Sequence, residues 1–410
     1  MSAADVRPVV DPARLGKRIA ELAAIGGNGR AVTRLGLSVE EQAARDLVGG
    51  WLGALGASVR RDAAGNLIAR FGGDGPAVLA GSHLDSVLDG GRFDGALGVL
   101  CAVEAAESLR AAGARFRRPV EIVAWADEEG ARFGLGLYGS GAAFGRLPAG
   151  AAERRDALGV SIAEALRALG ERGEPEAARL PAGAAAAYLE LHIEQGPRLE
   201  RAGVALGVVS DIVGIFHARV TVEGRADHAG TTAMDARRDA LAGAAAMLLA
   251  VEALARSREG VVATVGELAV RPGAKNVVPG AATFSLDVRA GDAAALEATI
   301  REIRAAVRRV GDERGLRSTV DVLSSVPVTP LDPALRDLFM RAAAAEGVAA
   351  PVLVSGAGHD AMNAQLAGVP AAMLFVRSTG GSHTPREHCD TADAALGAAV
   401  LARALGELAC

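Results

Sequence analysis

The chain has 410 residues, too many for one ordinary core and enough for two or three at about 150 residues each, with two the simpler division. A formal net charge of −5 and an aromatic content of 3% supply neither the basic footprint nor the stacking platforms of a nucleic-acid binder, so nucleic acid is not an expected partner. Hydrophobic residues reach 50%, but much of that is alanine interleaved with arginine, and no run of 18 residues is free of charge, so no membrane span is expected. Three scattered cysteines without CxxC spacing, Cys101, Cys389 and Cys410, and no basic segment followed by a continuous apolar stretch at the N-terminus, predict a reducing, cytoplasmic setting.

In chain order, residues 38–55 form a predicted helix, 76–80 a short buried strand, 96–112 a helix, and 120–126 and 187–192 apolar strands. This alternation predicts an α/β domain with a mixed, mostly parallel sheet and helices on both faces. From 214 to 324 the order becomes strand 216–222, helix 236–255, strands 260–270 and 281–289, helix 293–310 and strand 318–322. That is βαββαβ, the signature of a ferredoxin-like α+β unit. Helix 333–345, strand 351–354, helix 360–366 and strand 371–376 then resume the first style. The smaller unit, 213–325, is therefore read as an insertion into a discontinuous larger domain made of 1–212 and 326–410. Alanine-rich stretches at 150–159 and 182–187 read as helix or linker, and no internal repeat is evident.

The segment GSHLDSVLDGGRFDGALGVL, 81–100, places His83, Asp85 and Asp94 between a strand and a helix, a junction at which α/β folds bind ligands. An H-x-D triplet by itself is commonly a turn histidine bonded to a neighbouring carboxylate. The second carboxylate, Asp94, among Gly90, Gly91, Gly95 and Gly98, makes this one a candidate metal site, because such a backbone can bend around a small ion. The strand EIVAWA runs into Asp127, Glu128 and Glu129. Adjacent glutamates aimed differently can divide labour, one binding metal and the other taking a proton from an attacking water.

A third strand, AYLELHIEQG, ends at His192 with Glu190, Glu194 and Gln195 beside it, and TGGSHTPREH carries His383 in a Gly/Ser turn. Each of these segments ends or follows an apolar strand and offers His, Asp or Glu, so convergence at the carboxyl edge of one sheet is the economical expectation. A nitrogen- and oxygen-rich set without sulfur favours Zn, Mn, Co or Ni over a cysteine-held structural zinc. Two such ions about 3.5–4 Å apart suit hydrolysis of an amide-like bond.

The ordered set GSHLDSV…GGRFDGALGV, ADEEGARFG, LELHIEQGP, HAGTTAMDARRDA, KNVVPG…LDVR, SGAGHDAM and GGSHTPRE resembles the amidase, hydantoinase/carbamoylase family. These are dinuclear-metal hydrolases related to aminoacylases and to the carboxypeptidase G type of peptidase. The resemblance spans nearly the whole chain, including VTRLGLSVEEQAARDLV and DAAGNLIAR. It implies that His83, Asp94 and His192 hold one metal and Asp94, Glu129 and His383 the other, with Asp94 bridging and Asp85 orienting His83. It further implies that Glu128 is the general base, and that His228 of HAGTT reaches the partner subunit's active site to stabilise an oxyanion, hence a homodimer.

Gln195, Asn276 and Arg289 are the family's positions for the substrate carboxylate, and the planar guanidinium of Arg289 suits a bidentate grip. His359 is expected to shape the pocket near the second metal. The sequence departs from the family pattern at Ala233, where a proline is usual, and in the Gly-Gly-Ser run before His383, neither of which removes a ligand. His217 and His388 read as incidental, and nothing requires Cys389 as a nucleophile. The implied substrate is a small anionic ureido compound, an N-carbamoyl-L-amino acid or allantoate. An aminoacylase or dipeptidase activity is the enzymatic alternative. A silent binding protein is the other, and it would require the loss of a base or ligand that this chain retains.

Overall fold

The computed structural model describes residues 8–410. It divides into two compact units, one taking the chain up to Ser210 together with Pro330–Leu353 and His359–Cys410, the other Asp211–Thr329 with Val354–Gly358.

Continuous apolar runs dictate the centre of the larger unit. Ala77–His83, Val120–Trp125 and Ala371–Val376 are buried along their whole lengths, as strands covered on both faces must be. Neighbouring in the order Val120–Trp125, Ala77–His83, Ala185–Ile193 and Ala371–Val376, they form three parallel pairings in a row at the middle of a nine-stranded sheet. Leu67–Phe71 and Ser58–Arg61 extend one side antiparallel, and Leu206–Ile212 the other.

Side chains alternate across each strand. Ala187, Leu189, Leu191 and Ile193 share a core with the helices Ala96–Ala111 and Thr391–Ala409. Tyr188, Glu190 and His192 face the other way. There Trp125 Nε1 donates to the Tyr188 hydroxyl at 3.0 Å, and the helix Asp360–Leu366 donates Ala361 N–H to Glu190 Oε2 at 2.8 Å. Helices thus cover both faces of a mixed sheet whose centre is parallel.

The smaller unit follows a period of two. Gly214–Glu223 and Ala281–Ala290 alternate buried with half-buried residues, the mark of a sheet with one solvated face. Phe216, Ala218, Val220, Val222, Phe284, Leu286 and Val288 pack on Met247 and Val251 of helix Ala240–Arg256 and on Ile303 and Val307 of helix Ala293–Glu313. Arg317–Val326 flanks Gly214–Glu223, which flanks Ala281–Ala290, which takes Leu268–Arg271 and Val261–Thr264 on its other side, all antiparallel. This is the ferredoxin-like order.

Several sequence expectations need correction. The predicted strand 260–270 is two strands, because the Ser285 hydroxyl of the neighbouring strand takes the amides of Gly266 and Glu267 at 3.1 and 3.0 Å in place of a regular ladder. The helix expected from 236 starts at Ala240, where Asp239 caps it by accepting from Ala242 N–H. Residues 150–159 are turns stabilised by Asp156 Oδ1, which accepts from Leu158 and Val160. Ala185 to Ala187 begin a strand rather than a linker. The strand expected at 76–80 runs on to His83, so that residue ends the strand instead of opening the loop. Among the described residues no helix is long and apolar enough to cross a membrane.

Candidate metal centre

Parallel pairing delivers the candidate ligands to one edge. His83 ends its strand level with Trp125, and His192 sits level with Phe375. Asp127, Glu128 and Glu129 follow Trp125, and the turn bearing His383 follows Val376. All four segments leave the sheet at the carboxyl ends of adjacent strands, the place where α/β sheets bind ligands.

Asp94 lies at the middle of the cluster. Its Oδ1 is 3.3 Å from His192 Nε2 and its Oδ2 is 3.3 Å from His383 Nε2, which is itself 3.3 Å from Glu129 Oε2. Ligand atoms of His83, Asp94 and His192 all lie within 4.8 Å of one another, and so do those of Asp94, Glu129 and His383. The two triplets share Asp94. Glu128 belongs to neither, but its Oε2 stands 3.6 Å from His83 Nε2.

Backbone strain and close approach hold this geometry. His383, Gln195 and Asp127 adopt φ of 56°, 61° and 47°, a region side chains other than glycine's rarely occupy. Gly95, at φ 62°, must be glycine, since a Cβ there would overlap the His83 imidazole. Asp85 is the organiser of the first loop. Its Oδ1 accepts from Glu128 N–H at 3.0 Å and its Oδ2 from Glu129 N–H at 3.1 Å, while His83 Nδ1 lies 3.3 Å from Oδ1. One buried carboxylate therefore aims a histidine and two glutamates at once.

The electrostatics follow from so many acids in a dry site. Burial, then Asp360, Glu129 and Asp85, push the Glu128 carboxyl well above its usual range, with His83 opposing. Burial and Asp94 lift Glu129 to about 7. Burial pulls His83 down, but Glu128, Asp85 and Glu129 outweigh it, and the net shift is strongly upward. Burial lowers His192 to about 4, leaving a neutral imidazole at pH 7. The hydrogen bond to Asp94 raises His383 to about 9, with Asp94 itself depressed as the other half of that pair.

The remaining expected residues divide between the units. Gln195 Nε2 donates to both Asp94 oxygens at 3.0 Å, and its Oε1 is buried without a partner. The His359 ring stands edge-on to His192 with centroids 4.6 Å apart, beside the first triplet rather than the one containing Glu129 and His383. In the smaller unit, His228 pairs with Val277, and Asn276 accepts from Ala229 N–H at 3.0 Å, so these two are neighbours. The His228 Nδ1 accepts from Gly230 and Thr231 N–H at 3.1 and 3.2 Å, which leaves Nε2–H as its free donor. Arg289 lies elsewhere, at the other end of the Ala281–Ala290 strand, bound to Asp287 and to the Gly356 carbonyl.

Sequence reasoning missed three supports. Glu387 Oε1 accepts from Phe93 and Asp94 N–H at 2.9 and 3.1 Å, and its Oε2 lies 3.1 Å from Ser382 Oγ, tying the Asp94 loop to the turn of His383. The single Ser382 hydroxyl hydrogen goes to Asp94 Oδ2 at 2.7 Å, the shorter of its two carboxylate contacts. Glu41, buried in the first predicted helix, accepts from Leu37 and Asp127 N–H at 2.6 and 3.2 Å and so steadies the turn before the glutamate pair. Glu387 was visible only as the last letter of GGSHTPRE, with a glycine at 91 whose Cβ would overlap that carboxylate. Cys389 is 2% exposed and burial pushes its thiol up to about 12, which fits no nucleophile.

The donor set suits divalent cations. Around Asp94 it is two triplets of imidazole and carboxylate without sulfur, with Glu190, His192 and His359 forming a third such group, and Glu129 Oε1 is buried with no hydrogen-bond partner. An α/β sheet with such ligands at its carboxyl edge, together with a separate ferredoxin-like unit, suits metal-dependent hydrolysis.

The chain belongs to the peptidase family M20/M25/M40, whose profile matches residues 79–407. It is 42% identical over 404 residues to an N-carbamoyl-L-amino acid amidohydrolase of Geobacillus stearothermophilus, covering 97% of this chain and 98% of that one. An allantoate deiminase of Arabidopsis thaliana is 36% identical over 365 residues, covering 80% of this chain and 69% of the relative. Among solved structures, an amidase of the hydantoinase/carbamoylase family from Burkholderia multivorans superposes with a TM-score of 0.88 at 36% identity, covering 98% of each chain.

Proposed function

We propose that this protein is a cytoplasmic, metal-dependent amidohydrolase that cleaves the C–N bond of a ureido group on a carboxylate-bearing substrate, an N-carbamoyl-L-amino acid or allantoate. The observation that carries this reading is the pair of ligand triplets sharing Asp94, with Glu128 beside them but outside both. The relatives named above supply the substrate class. His83, Asp94 and His192 would hold one divalent ion and Asp94, Glu129 and His383 a second, with Zn, Mn, Co and Ni all compatible with such donors. Bound ions supply Lewis-acid polarisation of the ureido carbonyl and make the attacking water acidic near neutral pH.

The chain's own residues do the rest. Glu128 accepts the water proton and returns it to the leaving nitrogen, a transfer suited to a carboxylate raised above its usual range by burial and neighbouring acids. Asp85 fixes the direction of Glu128 through its backbone. His228 offers Nε2–H to the oxyanion. Arg289, Asn276 and Gln195 receive the substrate carboxylate, Gln195 after releasing Asp94.

Distances within the smaller unit support the reading of a homodimer. Ala281, at the end of the strand nearer the His228 turn, is eight residues from Arg289, about 27 Å of extended chain. No small ureido acid spans that, which supports His228 and Asn276 serving the active site of a second copy. Sedimentation that finds only active monomers would overturn this trans role.

The direct test of the function is ammonia release from allantoate, several N-carbamoyl-L-amino acids and N-carbamoyl-β-alanine, with an N-acetyl amino acid assayed in parallel for release of its free amino acid. Turnover of at least one ureido acid and none of the acetyl compound is expected. Hydrolysis of the acetyl compound alone would make the protein an aminoacylase.

A further inference from the structure

Arg289 does not stand alone on the solvated face of the smaller unit. Its Nε donates to Asp287 Oδ1 at 3.0 Å and its Nη2 to Asp287 Oδ2 at 2.9 Å, and Nη1 donates to the Gly356 carbonyl at 3.2 Å. Asp287 is held in turn. His217, directly opposite it on Gly214–Glu223, puts Nε2 at 3.3 Å from Asp287 Oδ2, and Ser324 Oγ lies 3.2 Å from His217 Nδ1. The register of Arg317–Val326 slips between Val322 and Ser324, and this bulge brings Ser324 opposite His217. Four side chains on three adjacent strands therefore form one line, Ser324, His217, Asp287 and Arg289.

The donor count gives this line a purpose. A guanidinium carries five N–H groups. Asp287 takes one from Nε and one from Nη2, and Gly356 takes one from Nη1, which leaves one on each terminal nitrogen. Two N–H groups on the two terminal nitrogens are what a second carboxylate needs for a bidentate contact. Against the opposing effect of burial, the hydrogen bonds from His217 and then Arg289 hold the Asp287 carboxyl well below its usual range, so it stays ionised as the anchor. Serine, histidine and aspartate are also the residues of a hydrolytic triad, but here both oxygens of the aspartate are engaged by an arginine.

We propose that Asp287 is the positioning residue for Arg289, that His217 backed by Ser324 fixes Asp287, and that this line sets the preference for substrates bearing a free carboxylate. The proposal rests on the reading that Arg289 receives that carboxylate.

The test compares an N-carbamoyl-L-amino acid with its carboxamide in the metal-loaded enzyme. Asp287→Asn should raise KM for the acid by about tenfold or more, the worth of one charge-assisted hydrogen bond. Its kcat and thermal midpoint should hold, and kcat/KM for the carboxamide should stay unchanged. His217→Ala should raise the same KM by a smaller factor, and His217→Gln, which can restore a donor to Asp287, should recover it. Arg289→Ala is measured alongside. If it raises KM for the acid while Asp287→Asn does not, the positioning role is overturned and the reading of Arg289 survives. If Arg289→Ala leaves that KM unchanged, the reading of Arg289 fails and the inference falls with it. A loss of kcat on both substrates in Asp287→Asn would make Asp287 a general structural support and also overturn the proposal.

Discussion

Glu128→Gln is expected to lower turnover by about 10²- to 10⁴-fold, the usual worth of a positioned proton acceptor, while leaving the metal content equal to the parent's. The substitution keeps the shape of the side chain and the hydrogen bond from residue 128 N–H to Asp85 Oδ1 at 3.0 Å. What it removes is an atom able to take a proton. Glu128 is outside both ligand triplets, and its side chain is 11% exposed, so the loss should fall on chemistry and not on metal affinity or folding. Ammonia release and elemental analysis of the same preparation separate the outcomes. Residual turnover within tenfold of the parent would remove Glu128 as the base, and loss of an ion would make it a ligand instead.

The contrast with its neighbour shows how adjacent glutamates come to differ. Both N–H groups are held by Asp85, yet Glu129 points at His383 and Glu128 at His83. The positive φ of Asp127, just before the pair, turns the chain sharply at the strand end. Glu41 holds the Asp127 amide. A residue in the helix Val39–Ala54, far earlier in the chain, thus helps set the division of labour at position 128.

This is also where sequence reading reached its limit. Strand ends, glycine-rich turns and the carboxylate pair were legible, because hydrophobic runs and turn residues are local signals, and the convergence of His83, Asp94, Glu129, His192 and His383 followed from sheet topology. Glu41 was not legible as a support. Ser38-x-x-Glu41 has the form of a helix capping box, and Ser38 does accept from Glu41 N–H, but the Glu41 carboxylate turns inward to Leu37 and Asp127. The same local pattern has a tertiary destination that the spacing does not encode.

Glu387 was hidden for a related reason, since it acts through backbone amides of Phe93 and Asp94 almost 300 positions earlier in the chain. His217 read as incidental because its partners lie on two other strands, one of them brought into line by a bulge. In the fold itself, the break between Val261–Thr264 and Leu268–Arg271 depends on a serine hydroxyl from the next strand, and no periodicity in 260–270 announces it.

Asp94→Asn should cost the protein both ions together, where His192→Asn should cost one. Both Asp94 oxygens are committed, Oδ1 toward His192 and Oδ2 toward His383, and Asp94 is the only residue common to the two triplets that meet there. An asparagine keeps one of those oxygens and replaces the other by an NH₂. In either position that group would face Gln195 Nε2, which now donates to both oxygens at 3.0 Å, and at Oδ2 it would also face the Ser382 hydroxyl, which donates there at 2.7 Å, so donor would meet donor.

The charge balance points the same way. Glu129 is lifted by burial and by Asp94, and the hydrogen bond to Asp94 raises His383, so without cations the cluster neutralises itself by keeping a proton on His383. Divalent ions would displace that proton and relieve the crowded carboxylates, which makes metal binding stabilising. Changes in groups that only orient ligands weaken metal binding by about 10- to 100-fold. Loss of a shared ligand should exceed that for both ions and abolish turnover as a consequence. Metal stoichiometry after dialysis, read with circular dichroism to confirm folding, decides the matter. Two ions retained in Asp94→Asn would overturn the shared ligand, and one retained ion would assign Asp94 to the other ion alone.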